Sequence, residues 1–122
     1  MHKSNITDAE YEIMKVLWEE GEKVTSNTVC EKLKEKGWAY TTIATLLSRL
    51  TEKGAVSFEK QGKAKLYTPV IQLDEYRHDE TKSLIQKLYG GSVKKLVAAL
   101  FENKQMTSDD IEEIKKMFDL ED

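Results

Sequence analysis

A mainly α-helical chain with one small β-hairpin is the fold class this sequence predicts, and three observations predict it. Apolar residues recur at helical spacing in six segments, capping residues and glycines punctuate those segments, and clear period-two alternation is confined to the stretch from Ala55 to Val70. The order of parts is three helices, a hairpin, then three more helices.

The first helix starts at Thr7, which can cap it, with Glu10 three residues on completing a capping box and Ile6 placed to staple against Tyr11. Ile13, Met14, Val16, Leu17 and Trp18 form its inward side, and Gly21 is expected to close it as a left-handed cap. Lys23-Val24-Thr25 allows a minimal strand. Thr25 or Ser26 then caps a second helix that runs to about Lys36, with Val29, Cys30 and Leu33 inward and Gly37 as its stop. The third helix begins near Tyr40 or Thr41 and ends at Gly54. Its Ile43, Leu46, Leu47 and Leu50 obey the i, i+3, i+4, i+7 rule for a single buried face.

Ala55 to Lys60 and Lys65 to Val70 read as two strands joined through Gln61-Gly62-Lys63-Ala64. Val56 and Phe58 are expected on one side, faced by Leu66 and Thr68, and Pro69 falls at a strand end where its missing N–H does little harm. After Val70 the pattern is helical throughout. A helix beginning at Asp74 or Asp79 carries Leu84, Ile85, Leu88 and Tyr89, and Gly90-Gly91 breaks it. Ser92 caps the next, with Val93, Leu96, Val97, Leu100 and Phe101, and Thr107 with Asp110 opens a last one bearing Ile111, Ile114, Met117 and Phe118.

Three helices followed by a hairpin are the parts of a winged helix-turn-helix DNA-binding domain, here expected over residues 1–72. The tail, 73–122, is expected to be a three-helix dimerisation domain. Such short amphipathic helices enclose little core alone, so Leu84, Leu88, Leu96, Val97, Leu100, Ile111, Ile114 and Phe118 are expected to bury themselves against a second copy.

Composition narrows the function classes. No apolar run is long enough to span a membrane and the N-terminus lacks the hydrophobic stretch of a signal peptide, so no membrane insertion and a cytoplasmic location are expected. A lone cysteine, Cys30, makes no internal disulfide and reads as a buried, inert thiol. His2 and His78 supply no metal-ligand spacing, and no nucleophile with a base, phosphate loop or carboxylate pair stands out, so neither cofactor, metal nor enzymatic activity is expected. The net charge of −3 argues at first against a nucleic-acid partner. Its distribution reverses that. From Trp38 to Val70 five basic residues stand against two acidic ones, whereas from Ile71 onward eight basic residues stand against twelve acidic ones. The local field at a contact surface, not the overall charge, governs attraction to double-stranded DNA.

A helix in the major groove must bury one face and offer the other to bases and phosphates. Opposite the apolar stripe of the third helix lie Thr41, Thr45 and Ser48, flanked by Thr42, Ala44 and Arg49. Small residues permit close approach, hydroxyls bond phosphates or base edges, and Arg49 spans to a phosphate or guanine. Lys53, Lys60, Lys63 and Lys65 supply cations where the phosphate backbone would pass. An ordinary solvated helix face is the competing reading of the hydroxyls, and a winged helix used only for protein interaction is the competing reading of the whole. The basic hairpin weighs against both.

The run from Ile6 to Trp18, then Trp38, Thr42-Ile43-Ala44-Thr45-Leu46, Arg49-Leu50 and Lys53-Gly54, resembles the penicillinase repressor family, the BlaI/MecI regulators with copper-responsive relatives. Tyr67, Gly90-Gly91-Ser92 and Ile111-Glu112-Glu113 extend the likeness over nearly the whole chain. The resemblance implies a homodimeric transcriptional repressor on an inverted-repeat operator, controlling genes of the β-lactam-resistance type. It places Thr42, Thr45 and Arg49 at recognition-helix positions, and it puts Thr41 and Ala44 where relatives can be basic. For the β-lactam-responsive branch it implies relief by proteolysis, with a membrane sensor protease as partner. The matching bond is Ala99–Leu100, where those relatives have asparagine and phenylalanine. The cysteine-rich metal motif of the copper branch has no counterpart here, since the tail from Lys104 holds no cysteine.

Overall fold

The computed structural model, which describes residues 5–103 and 106–117, begins with helix α1 (Asp8–Glu20), closed at its N-terminus by the expected capping box. The Thr7 hydroxyl accepts from the Glu10 N–H at 3.1 Å, and the Glu10 carboxylate accepts from the Thr7 N–H at 3.0 Å. At the other end Gly21 takes φ 101° and ψ −119°. The positive φ is as expected but the ψ lies outside the left-handed helical region, in territory that only glycine enters cheaply.

Strand β1 (Val24–Thr25) leads into α2 (Ser26–Lys32), capped by Thr25, whose hydroxyl accepts from the Thr28 N–H. The second helix is shorter than the sequence predicts. Its last expected turn tightens into a 3-10 turn over Lys34–Lys36 before Gly37. Leu33 still points inward, and Cys30 is half-buried rather than fully enclosed. Helix α3 (Tyr40–Glu52) follows, with Ile43, Leu46, Leu47 and Leu50 all buried.

These elements enclose one core. Ile13, Met14 and Leu17 of α1 are fully buried, and Val29 and the apolar stripe of α3 complete the cluster. Each such side chain contributes about 1.5–3 kcal/mol on leaving water, so the orientation of α3 is set by four of them acting together.

The hairpin β2 (Val56–Gln61) and β3 (Ala64–Pro69) joins β1 in an antiparallel sheet of order β1-β3-β2. Gln61 pairs with Ala64, leaving a two-residue loop, Gly62-Lys63. Gly62 has φ 67° while Lys63 does not enter positive φ, the sign pattern of a II′ turn, which matches the twist of the flanking strands. The register corrects one expectation. Val56 opposes Pro69 and Phe58 opposes Tyr67, and it is Tyr67 and Pro69 that are buried, while Leu66 and Thr68 are only half-buried on the other face. Directly opposed residues share a face of a sheet, so Leu66 and Thr68 cannot face Val56 and Phe58.

Helix α4 (Leu73–Tyr89) begins against α1. Tyr76 stacks on Tyr11 at 5.6 Å and lies 5.4 Å from Trp18, whose indole N–H donates to the Ile71 carbonyl at 2.8 Å. The chain divides into two compact units, Met1–Asp79 and Glu80–Asp122, so the first two turns of α4 belong with the winged helix. In the second unit Ser92 caps α5 (Val93–Glu102), and Thr107 and Asp110 form a reciprocal cap on α6 (Ser108–Met117). Ile85 is buried, whereas Leu84, Leu88, Phe101 and Met117 are exposed, Leu88 to 58%. Leu96, Val97, Leu100, Ile111 and Ile114 are half-buried, and Phe118 lies outside the described residues. No helix among the described residues is long and apolar enough to cross a membrane.

One charged contact lies inside the winged helix. Glu10 is 1% exposed, and its carboxylate receives the Lys53 ammonium at 2.5 Å, with the Asn5 carbonyl accepting from the same ammonium at 2.6 Å. Burial pushes the Glu10 carboxyl up, but the Lys53 and Thr7 hydrogen bonds and the lysine charge together outweigh it and hold it below its ordinary value. A depressed carboxyl contributes stability that is complete above its unfolded value, near 4.5, and is lost as the pH falls through the folded one. Lys53→Met, which strands a buried carboxylate, is expected to cost on the order of 3 kcal/mol at neutral pH. Urea denaturation at several pH values should show that deficit shrinking once the medium is acidic enough to neutralise Glu10.

Candidate nucleic-acid interface

With its apolar stripe committed to the core, α3 presents two parallel rows outward at i, i+4 spacing. One row is Thr41, Thr45 and Arg49, all exposed, with exposed Thr42 beside it. The other is Tyr40, Ala44 and Ser48, which forms one wall of a groove of about 460 Å³. The opposite wall is the hairpin, through Lys63, Ala64, Lys65 and Tyr67, and the N-terminal end of α2 closes it with Thr25, Ser26 and Asn27.

The electrostatics of this surface are one-sided. Among the described residues Arg49, Lys60, Lys63 and Lys65 have no carboxylate partner, whereas Lys23, Lys32, Lys34 and Lys36 are paired with Glu59, Glu20, Glu31 and Glu12. Lys60 and Lys65 stand directly opposite each other across β2 and β3. The Lys65 ammonium rests 4.7 Å above the Phe58 ring, a cation-π contact that holds it over the sheet while leaving its charge uncancelled. Burial raises the Tyr67 phenol above its usual value, an effect that a hydrogen bond with Ser26 opposes and the neighbouring Tyr40 reinforces. The phenol is therefore neutral and able to donate at physiological pH.

The structure thus brings Ala44, Ser48, Lys63 and Lys65 into one groove, sets Thr41, Thr42, Thr45 and Arg49 on the adjoining helix surface, and leaves Lys60 exposed on the hairpin. Lys53 stands apart. Its side chain is only 29% exposed and its ammonium is committed to Glu10 and Asn5, so it does not belong to the open cationic surface with which the sequence had grouped it. The groove also contains residues the sequence reading passed over: Ser26, Asn27, Tyr40 and Tyr67. The signal for Tyr40 was present in its spacing from Ala44 and Ser48, but a tyrosine at a helix start reads first as a boundary residue. Tyr67 was hidden by the strand register. Among the described residues no group of three or more His, Cys, Asp or Glu is placed to hold a metal.

A three-helix core carrying a basic hairpin beside an exposed, small-residue helix face defines a winged-helix protein. The chain belongs to the penicillinase repressor family, which it matches over residues 6–120. It is 33% identical over 114 residues to the penicillinase repressor of Bacillus licheniformis, covering 93% of this chain and 89% of that one. Against the methicillin resistance regulatory protein MecI of Staphylococcus aureus the identity is 30% over 112 residues, covering 92% and 91%. The solution structure of the monomeric form of Bacillus licheniformis BlaI in complex with the blaP half-operator superposes with a TM-score of 0.52 at 39% identity, over 62% of this chain and 94% of that one.

If the hairpin lysines meet phosphates, Lys63→Ala should weaken binding to every duplex alike. The slope of log affinity against log salt should flatten by about 0.9 for the lost contact, as titrations at several salt concentrations would reveal.

Proposed function

We propose that this protein is a homodimeric, sequence-specific DNA-binding transcriptional repressor that acts in the cytoplasm on an inverted-repeat operator. The observation that carries the reading is the outward face of α3: small hydroxyl residues and Arg49 beside a groove whose far wall bears unpaired lysines, in a chain of the penicillinase repressor family. Arg49 and the α3 hydroxyls read base edges in the major groove, while Lys60, Lys63 and Lys65 neutralise the adjoining backbone. The work is binding, without catalysis.

The second half of the proposal is the dimer. The second unit leaves Leu84, Leu88, Phe101 and Met117 in solvent, and the half-buried Leu96, Val97, Leu100, Ile111 and Ile114 adjoin them in sequence on the same amphipathic helices. A second copy covers that apolar surface, and a two-fold pair meets two half-sites of opposite orientation. The regulated genes are of the β-lactam-resistance type, and repression is relieved when a membrane sensor protease cuts Ala99–Leu100. Both residues of that bond are half-buried within α5, so a protease reaches the peptide only after the helix unwinds locally.

Footprinting of the region upstream of the protein's own gene tests the reading: a protected inverted repeat is expected, and absence of any protection at low salt would overturn it. Arg49→Ala should cost about 1–3 kcal/mol on that operator and relax preference at the contacted position. Leu96→Asp or Ile114→Asp should sediment as monomers and lose most operator affinity, while retaining the helical signal of the winged helix in circular dichroism.

A further inference from the structure

We propose that the groove between α3 and the hairpin seats one backbone phosphate of the DNA, and that Tyr40 is a neutral donor to it, a contact that adds affinity without reading sequence. The inference rests on the repressor reading above and assigns a residue that reading leaves unused.

Tyr40 is 56% exposed, the large aromatic side chain of α3 left in solvent, at the mouth of the groove. Ala44, one turn further along the same row, is too small to fill the space, so the groove stays open next to the ring. Facing it are the Lys63 and Lys65 side chains, neither of which has a carboxylate partner among the described residues. Tyr67 of the same hairpin wall and Ser26 of α2 add two more hydroxyls to the groove's lining. A site lined by two lysine side chains and several hydroxyl-bearing residues, with no carboxylate among its lining residues, suits a singly charged oxyanion with several acceptor oxygens. A phosphodiester between two nucleotides is that species, and the geometry places it where a strand leaving the outer face of α3 meets the hairpin.

The chemistry separates Tyr40 from its neighbours. A lysine contact releases a counterion and enters the salt dependence of binding, whereas a phenol carries no charge and does not. A base contact discriminates among sequences, whereas a phosphate contact does not. Tyr40→Phe keeps the ring and removes only the hydroxyl, at an exposed position where the fold does not depend on it.

The experiment measures binding of wild type, Tyr40→Phe and Lys63→Ala to the operator found by footprinting and to a scrambled duplex of equal length, across a salt series. Tyr40→Phe is expected to lose roughly tenfold per half-site on both duplexes, the loss of a hydrogen bond to a charged group, with the salt slope unchanged. Lys63→Ala is expected to flatten that slope. A set of operators carrying a single neutral methylphosphonate at successive positions then locates the seat: at one position the wild type should lose its advantage over Tyr40→Phe. Equal affinity of Tyr40→Phe and wild type would overturn the proposal, as would a loss confined to one base pair or a Tyr40→Phe effect insensitive to every methylphosphonate. A wild type with no affinity for any duplex would sink the repressor reading itself and this inference with it.

Discussion

Burial of the apolar stripe of α3 is the constraint on which the rest of the winged helix depends. Ile43, Leu46, Leu47 and Leu50 fix the rotation of that helix about its own axis against α1 and α2. Because an α-helix has one angular relation between its faces, turning the leucines inward automatically turns Thr41, Thr45 and Arg49 outward and aims Tyr40, Ala44 and Ser48 at the hairpin. The outward face is thus positioned by residues that take no part in it. The Glu10–Lys53 pair reinforces the same arrangement from the end of the helix, tying the residue that follows α3 to the first turn of α1.

Much of this was readable from residue order. The capping box at Thr7 and Glu10, the stripe of α3 and the hairpin turn at Gly62 are local patterns, and local patterns survive folding when the core agrees with them. The register of β3 was not readable, because Leu66 and Tyr67 are both apolar enough to face a core and a slip of one residue exchanges them. The early end of α2 was hidden for a similar reason: Lys34-Glu35-Lys36 has good helix propensity, and the 3-10 turn there answers to the position of Gly37 and the core. Lys53 deceived in a different way. A lysine before a glycine at a helix end looks like a surface charge, and only the tertiary fold brings Glu10, far away in sequence, to its ammonium.

The two units differ in how far they satisfy themselves. The first has a closed core, a braced sheet and an aromatic cluster of Tyr11, Trp18 and Tyr76 that anchors the beginning of α4. In the second Ile85 is buried while Leu84, Leu88, Phe101 and Met117 stay in water. Periodicity located three helices there, as the described residues show, since amphipathic spacing is the same whether the partner lies within the chain or in another copy. What periodicity lacks is any statement of who that partner is.

Lys60 and Lys65, opposed across the hairpin with Lys63 at its tip, make the free wing an element at odds with itself. Like charges on directly facing strand positions repel, and mobile ions relieve them. Added salt therefore quiets the hairpin of the isolated protein while it competes with any polyanion for the same lysines. An anion held between these lysines would relieve the same repulsion, which would link pairing of the strands to occupation of the surface.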